Sequence, residues 1–300
     1  MTTSGSTSVP MSIIVAATAS PPVPDASLDD WVLARILEKS PPLLREGIYL
    51  AAIPFSFDAP ELADLRQRAD GRDARLAERL ALFSFIDRLD EDGTLNYAMH
   101  DGERHALQLN WLRHDSSSYL SAHQRATDHL LRESPSEFSQ QELLLVYHQL
   151  ICDPQAGIER LIARFRAYAN IRHLGTLDQL LTLARSTRPY LDALGRDTTT
   201  LDDLLLYLDA RLAQLRNQWA HSLTLIESLR ARPALAPRLL PYVVRAHGFA
   251  LAQAERYVEA IEEYELALQH FRQQEASATV PERRAEMRRE QGHTMVALGD

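Results

Sequence analysis

Cysteine and lysine are almost absent from this chain. Cys152 is the only cysteine, which excludes an intrachain disulfide and any cysteine-built metal cluster. Among 32 basic residues only Lys39 is a lysine. A phosphate loop of the GxxxxGK[ST] kind needs a lysine behind glycine-flanked backbone N–H groups. Lys39-Ser40 lies in LARILEKS with no glycine before it, so the chain has no such loop of its own. No run of about 18 apolar residues occurs, which argues against a membrane-spanning helix. A basic block is missing too. Residues 1–30 carry a charge of −3, residues 31–132 carry 13 basic against 16 acidic side chains, and residues 133–300 carry 19 against 22. That even spread weighs against nucleic acid as a main ligand. GxSxG, HExxH and the dinucleotide glycine motif are likewise absent, so neither a catalytic residue nor a cofactor is assigned.

Eleven histidines are present, but their spacing is wrong for metal. His100 and His105 are five apart and His123 and His129 six apart, whereas two imidazoles share a helix face at i and i+4. All are read as structural. Cys152, ahead of Asp153-Pro154, is read as a buried helix-end residue rather than a nucleophile.

Three hundred residues exceed one ordinary core and imply two modules or an array. Residues 1–26, rich in Ser, Thr and Pro and without a basic start, read as a disordered tail, and the cytoplasm is the default location. Residues 27–134 read as a small helical domain. Ser27 opens a first helix, LLREGIYLAAIP a second, and Asp58-Ala-Pro-Glu61 caps a third. A longer amphipathic helix is expected from Ala74 to about Leu89, with Leu76, Leu80, Phe83 and Ile86 on one face. Asp90–Gly93 makes a turn and Thr94–Met99 alternates as a strand. A helix from Gly102 to Arg132 follows, broken near Asp115–Ser118.

From 135 to 300 the pattern is paired helices, with Ser134 or Ser136 as the first cap and Gly175 as a separator. The sharpest stretch is PYVVRAHGFALAQAERYVEAIEEYELAL, from Pro241 to Leu268. Gly248, Ala260 and Ala267 are small where two helices would touch, with Tyr257 and Tyr264 between them, and Glu255–Tyr257 is the turn. This pattern resembles the tetratricopeptide (TPR) repeat. Ala210, Trp219, Ser222, Ile226 and Leu229 repeat it 38 residues earlier, and residues 156–194 share only its apolar period. Gly292 stands as the glycine of a further first helix, after a long loop at Gln273–Glu282.

Met99-His100-Asp101, between a strand and a helix, is similar to the MHD motif that ends the winged-helix domain of STAND-type, NLR-like ATPases. The resemblance implies a histidine that touches nucleotide. No nucleotide domain precedes it here, so His100 would bind a cofactor only if that domain came from elsewhere; within this chain it reads as a helix-start residue. The fold expected is all-α: a TPR-like α-solenoid of antiparallel helix pairs, preceded by a winged-helix-like domain with one β-hairpin.

Such an array presents a groove for a protein or peptide ligand, with Arg211, Gln214, Arg245 and Gln253 as lining candidates. The expected function is therefore a non-catalytic scaffold, read as a fragment of a STAND-type regulatory protein whose last repeat is incomplete. The alternative is a regulator that binds DNA through Arg66, Arg68 and Arg72. A lone last helix would leave an apolar face unpaired, which implies self-association there.

Overall fold

Proline and short polar side chains set most of the breaks in this chain. The computed structural model describes residues 28–68, 71–91, 94–136, 138–233 and 235–299. The expected tail, the Ser27 cap and the tip of the Asp90–Gly93 turn lie outside them. The fold is mostly helical, with one two-stranded sheet among the described residues. It divides into two compact units, residues 1–161 with 182–196, and residues 162–181 with 197–300. The expected boundary at 134/135 therefore falls inside the first unit.

In the first unit, α1 (Leu28–Lys39) and α2 (Pro42–Ala51) are parted by Pro41-Pro42. Asp58 caps α3 (Ala59–Arg66) by accepting the Glu61 N–H at 2.7 Å, with Pro60 in the first turn. α4 (Asp73–Leu80) is shorter than expected. After Leu80 the backbone tightens through i→i+3 bonds (Phe83 N–H to Leu80 O, Ile86 N–H to Phe83 O) and leaves as a strand. Leu76 and Leu80 do share a buried face, but Phe83 and Ile86 reach their places from a turn and a strand. β1 (Ile86–Glu91) pairs antiparallel with β2 (Thr94–Met99), Ile86 opposite Met99. Phe57, ahead of α3, adds a single bridge to Tyr97 of β2, with both backbone bonds at 2.8 Å.

α5 (Asp101–His114) and α6 (Ser116–Arg132) break at Asp115, whose carboxylate accepts the Ser118 N–H at 3.0 Å. Ser139, not Ser134 or Ser136, caps α7 (Gln140–Cys152). α8 (Pro154–Asn170) follows, and α10 (Arg188–Ala193) closes the unit. A Cβ on Gly157 of α8 would lie 2.5 Å from the Leu150 backbone nitrogen, so only glycine allows α8 this close to α7.

The second unit takes the end of α8, the start of α9 (Leu174–Ser186), and α11 (Thr199–Leu215), α12 (Trp219–Arg230), α13 (Leu240–Gln253), α14 (Tyr257–Ser277) and α15 (Pro281–Gly299). Gly175 is inside α9 and separates nothing; the turn before it is made by Arg172. The loop expected at Gln273–Glu282 is mostly helix, because α14 runs on to Ser277 and α15 starts at Pro281.

Three helix hairpins turn in one way. Arg172, Asn217 and Glu255 each adopt a left-handed conformation (φ 53°, 59° and 61°). Each next N–H reaches five residues back: His173 to Tyr168 O at 3.0 Å, Gln218 to Ala213 O at 2.8 Å, and Arg256 to Leu251 O at 3.0 Å. The left-handed residue's own N–H bonds to a carbonyl three back, completing a Schellman motif each time. The last two turns are 38 residues apart, the offset of the repeated packing residues.

Those packing residues are seated as follows. Ala260, Tyr264 and Ala267 are buried, as are Ala210, Ser222, Ile226 and Leu229. A Cβ on Gly248 would stand 3.1 Å from the Ala260 carbonyl and the Tyr264 ring, so the missing side chain seats that tyrosine. Two expectations need correction. Tyr257 is 61 % exposed, because it begins α14 beyond the edge of its partner helix. Gly292 faces open space, since no described helix covers that side of α15.

Gly157→Ala would ordinarily gain about 1 kcal/mol of helix propensity. Overpacking of the α7 backbone should outweigh it and cost about 2 kcal/mol net, read as a lower denaturant midpoint. Glu255→Gly should do the opposite. Relief of the left-handed strain is worth about 1 kcal/mol and should raise the melting temperature with an unchanged far-UV spectrum.

Candidate functional site

Within the first unit, polar side chains gather inside the core. Gln108 on α5 is fully buried and sits at the centre. Its amide N–H donates to the Ala52 carbonyl at 2.6 Å, and its carbonyl accepts from Tyr119 at 3.0 Å and Tyr147 at 3.3 Å. His105 Nδ1 meets the Tyr190 hydroxyl at 2.8 Å. Burial pushes the Tyr119, Tyr147 and Tyr190 phenols up, which keeps them protonated as donors.

Beside them, His123 of α6 and His148 of α7 meet Nδ1 to Nδ1 at 2.9 Å, both buried. One ring must donate and the other accept, so the accepting ring is neutral. Burial pushes both imidazoles down, His148 to about 3. The pair escaped sequence reasoning because its members are 25 residues apart on different helices. Among the described residues no group of three or more His, Cys, Asp or Glu could hold a metal ion. Thr127 Oγ1 lies 3.7 Å from the Cys152 sulfur, and burial pushes that thiol up, away from a nucleophilic thiolate. This cluster is closed and held together by its own bonds.

Of Met99-His100-Asp101, Met99 is buried, while His100 and Asp101 sit at the surface. His100 opens α5 with no side-chain cap, and its Nε2 lies 3.2 Å from the Asp87 carboxylate of β1. Asp101 accepts from Arg104 at 2.6 Å, and that guanidinium stacks over Phe55 at 3.8 Å. Arg66 is buried against Asp73, so it is not presented to a ligand; Arg68 and Arg72 are the exposed members of that set.

In the second unit, two of the four expected groove residues serve packing. Gln214 is 3 % exposed and donates to the Ala246 carbonyl at 2.8 Å while accepting from Arg211 at 2.5 Å. Arg245 of α13 is paired with Glu290 of α15 and lies 5.7 Å from the Phe271 ring. Arg166 joins the same network through Glu286 at 3.1 Å, and Tyr242 donates to that carboxylate at 2.9 Å. A groove open at these positions is thus corrected to a filled polar seam.

Gln253 alone of the four is exposed and lines a concavity. It borders an open hollow of about 880 Å³ with Asn217, Gln218, Trp219, His221 and Leu223. Trp219 opens α12 and meets the Phe249 ring edge-on at 5.7 Å. The hollow therefore has an apolar floor and a rim of two kinds, side-chain amides and one imidazole. Such a surface takes an apolar side chain and hydrogen-bonds a flanking backbone. Sequence reasoning placed Trp219 among the packing residues; only its position at the mouth of a turn shows that one face is free.

No protein-family model, no curated protein and no solved structure matches this chain.

The histidine pair sets a pH dependence. Its folded-state values lie below the ordinary 6.5, so the unfolded chain binds more protons and stability falls as pH drops from 6.5 toward 3. Glu61, pushed up to about 8 by burial and then by Asp58 and Asp64, works oppositely from pH 4.5 to 8. Urea titrations of wild type and His123→Gln/His148→Gln at pH 7 and pH 5 separate the two. Wild type should lose more stability than the variant between those values.

Proposed function

We propose that this chain is a non-catalytic recognition module. Its second unit is a TPR-like stack of helix hairpins that holds a peptide segment in the hollow at Trp219. The carrying observation is the repetition of one Schellman turn at Arg172, Asn217 and Glu255, with the Gly248–Tyr264 seat inside the last hairpin. Repeated hairpins that pack on their neighbours build a surface rather than a reaction centre. The hollow supplies an apolar anchor point and amide and imidazole hydrogen-bonding groups, which fits an extended peptide with one large apolar side chain. An acidic or phosphorylated ligand would find no arginine among the residues lining it.

The first unit supports a winged-helix-like reading. Its order of α2, the Phe57 bridge, α3, α4, β1 and β2 places a hairpin after three helices, with a third short strand contribution against β2. Its role in this proposal is structural. A DNA-reading helix would need outward arginines, and Arg66 is used inside. Asp87, Arg88 and Asp90 are exposed on β1, a net negative set that does not favour phosphate.

An array of ten-residue peptides with one varied apolar position, probed with the full chain, tests the reading. Binders should share a single large apolar residue, and Trp219→Ala should weaken them by about 30-fold or more, the loss typical of a buried aromatic anchor. An array without binders, or binding indifferent to Trp219→Ala, would overturn it.

A further inference from the structure

The residues lining the hollow at Trp219 include no carboxylate and no guanidinium, so those charges reach an occupant only from the margin. Two turns form that margin, one at Asn217 between α11 and α12, the other at Glu255 between α13 and α14. Each sets one charged residue directly beside the lining. Arg216 precedes Asn217, and Glu255 follows Ala254.

These two charges are not equally free. Arg216 is paired with Asp178 of α9, so its guanidinium is already matched. Glu255 is exposed, and among the described residues its carboxylate has no hydrogen bond or ion pair.

The surroundings of Glu255 add to its charge. Arg256 is held by Glu259, Nε to Oε1 at 2.7 Å and Nη2 to Oε2 at 2.5 Å. Glu227 of α12 acts on the same guanidinium, and it is exposed one helical turn after Leu223 of the lining. Three carboxylates, Glu227, Glu255 and Glu259, therefore stand against one guanidinium on this side, while the Arg216 side is balanced. Exposed charge acts over about 8–10 Å in ordinary salt. An extended peptide covers that distance in about three residues.

We propose that the hollow takes its apolar anchor from a basic segment: an extended peptide with a lysine or arginine within about three positions of the anchor, paired with Glu255 and Glu227 on the α13–α14 side. This rests on the peptide-binding reading of the hollow and adds the charge of the ligand to it. Acidic flanks would set like charges together, which lowers affinity and slows encounter.

Fluorescence anisotropy on the full chain tests it with three labelled peptides, identical in their apolar anchor and flanked by lysine, glutamine or glutamate. At low salt the lysine-flanked peptide should bind about 10-fold tighter than the glutamine-flanked one, and the glutamate-flanked peptide should bind weakest. The spread should shrink as salt rises. Glu255→Gly keeps the left-handed turn and removes the carboxylate. It should cost the lysine-flanked peptide about 3-fold and leave the glutamine-flanked one unchanged. Adding Glu227→Gln should erase the preference, and circular dichroism checks that each variant keeps its helices. Trp219→Ala separates the two readings, since it should weaken all three peptides alike. Equal binding of the three, each weakened by Trp219→Ala, overturns the charge preference and leaves the hollow a peptide site. A glutamate-flanked peptide that binds tightest also overturns it, as does a lysine preference that survives both carboxylate variants. If none of the three binds, both readings fail.

Discussion

A backbone N–H that reaches five residues back to a carbonyl decides the direction of the second unit. At Arg172, Asn217 and Glu255 the chain leaves a helix by the same two hydrogen bonds, and each following helix starts two residues later, at Leu174, Trp219 and Tyr257. The bond pattern ties off carbonyls that a helix end would otherwise leave without partners. It also forces one residue into the left-handed region. Gly195 occupies the corresponding place after α10, with Arg196 N–H bonded to the Leu191 carbonyl at 3.0 Å. The other three turns use residues with side chains. Their conformation is therefore held by what packs on either side of the turn, and the register of small residues in the hairpin is that packing.

The interior shows a second constraint, the pairing of buried carboxylates with arginines that reach in from nearer the surface. Asp203 is buried against Arg232, Glu142 is buried against Arg160 at 2.9 Å, and Glu290 is shared between Arg245 and Arg166. A guanidinium suits these places better than an ammonium, because its planar fork bonds carboxylates in two directions and holds less water. Removing one partner would strand the other in a low-dielectric setting, at a cost of several kcal/mol. The same demand explains why Arg245 and Gln214 are withheld from ligand. Side chains that face the next helix of a stack are as free to lock it as to line a groove, and here they lock it.

Much of this architecture could be read directly. Asp58 with Pro60 announced α3, the alternation of Thr94–Met99 announced β2, and Gly248 with Ala260, Tyr264 and Ala267 announced a hairpin whose turn is at Glu255. Each is a local signal, carried by residues within a few turns of one another. Where reading failed, the deciding partner was remote or the pattern was ambiguous. Leu76, Leu80, Phe83 and Ile86 have helical spacing, yet Ile86 belongs to a strand because Met99 pairs with it. Gly175 and Gly157 look alike in sequence, but one sits in open space inside a helix and the other against the Leu150 backbone. The His123–His148 contact joins two helices and leaves no spacing to recognise. The Trp219 hollow was hidden for a further reason. An aromatic at a packing position has two faces, and only the arrangement of neighbouring turns shows which one is covered.

The near-absence of lysine has a practical reach beyond charge. Lys39 is exposed at the C-terminal end of α1, and Arg35 stands one turn before it beside the small apolar groove of Ile36, Leu44 and Phe83. Enzymes and reagents that join acyl groups to side-chain amines find one ε-amino group in the whole sequence. A fluorophore or crosslinker directed there marks a single known point on the first unit, and tagging by a small protein modifier through a lysine isopeptide bond has one address. The arginines that hold the interior together are inert to that chemistry, so labelling this protein leaves its internal pairs untouched.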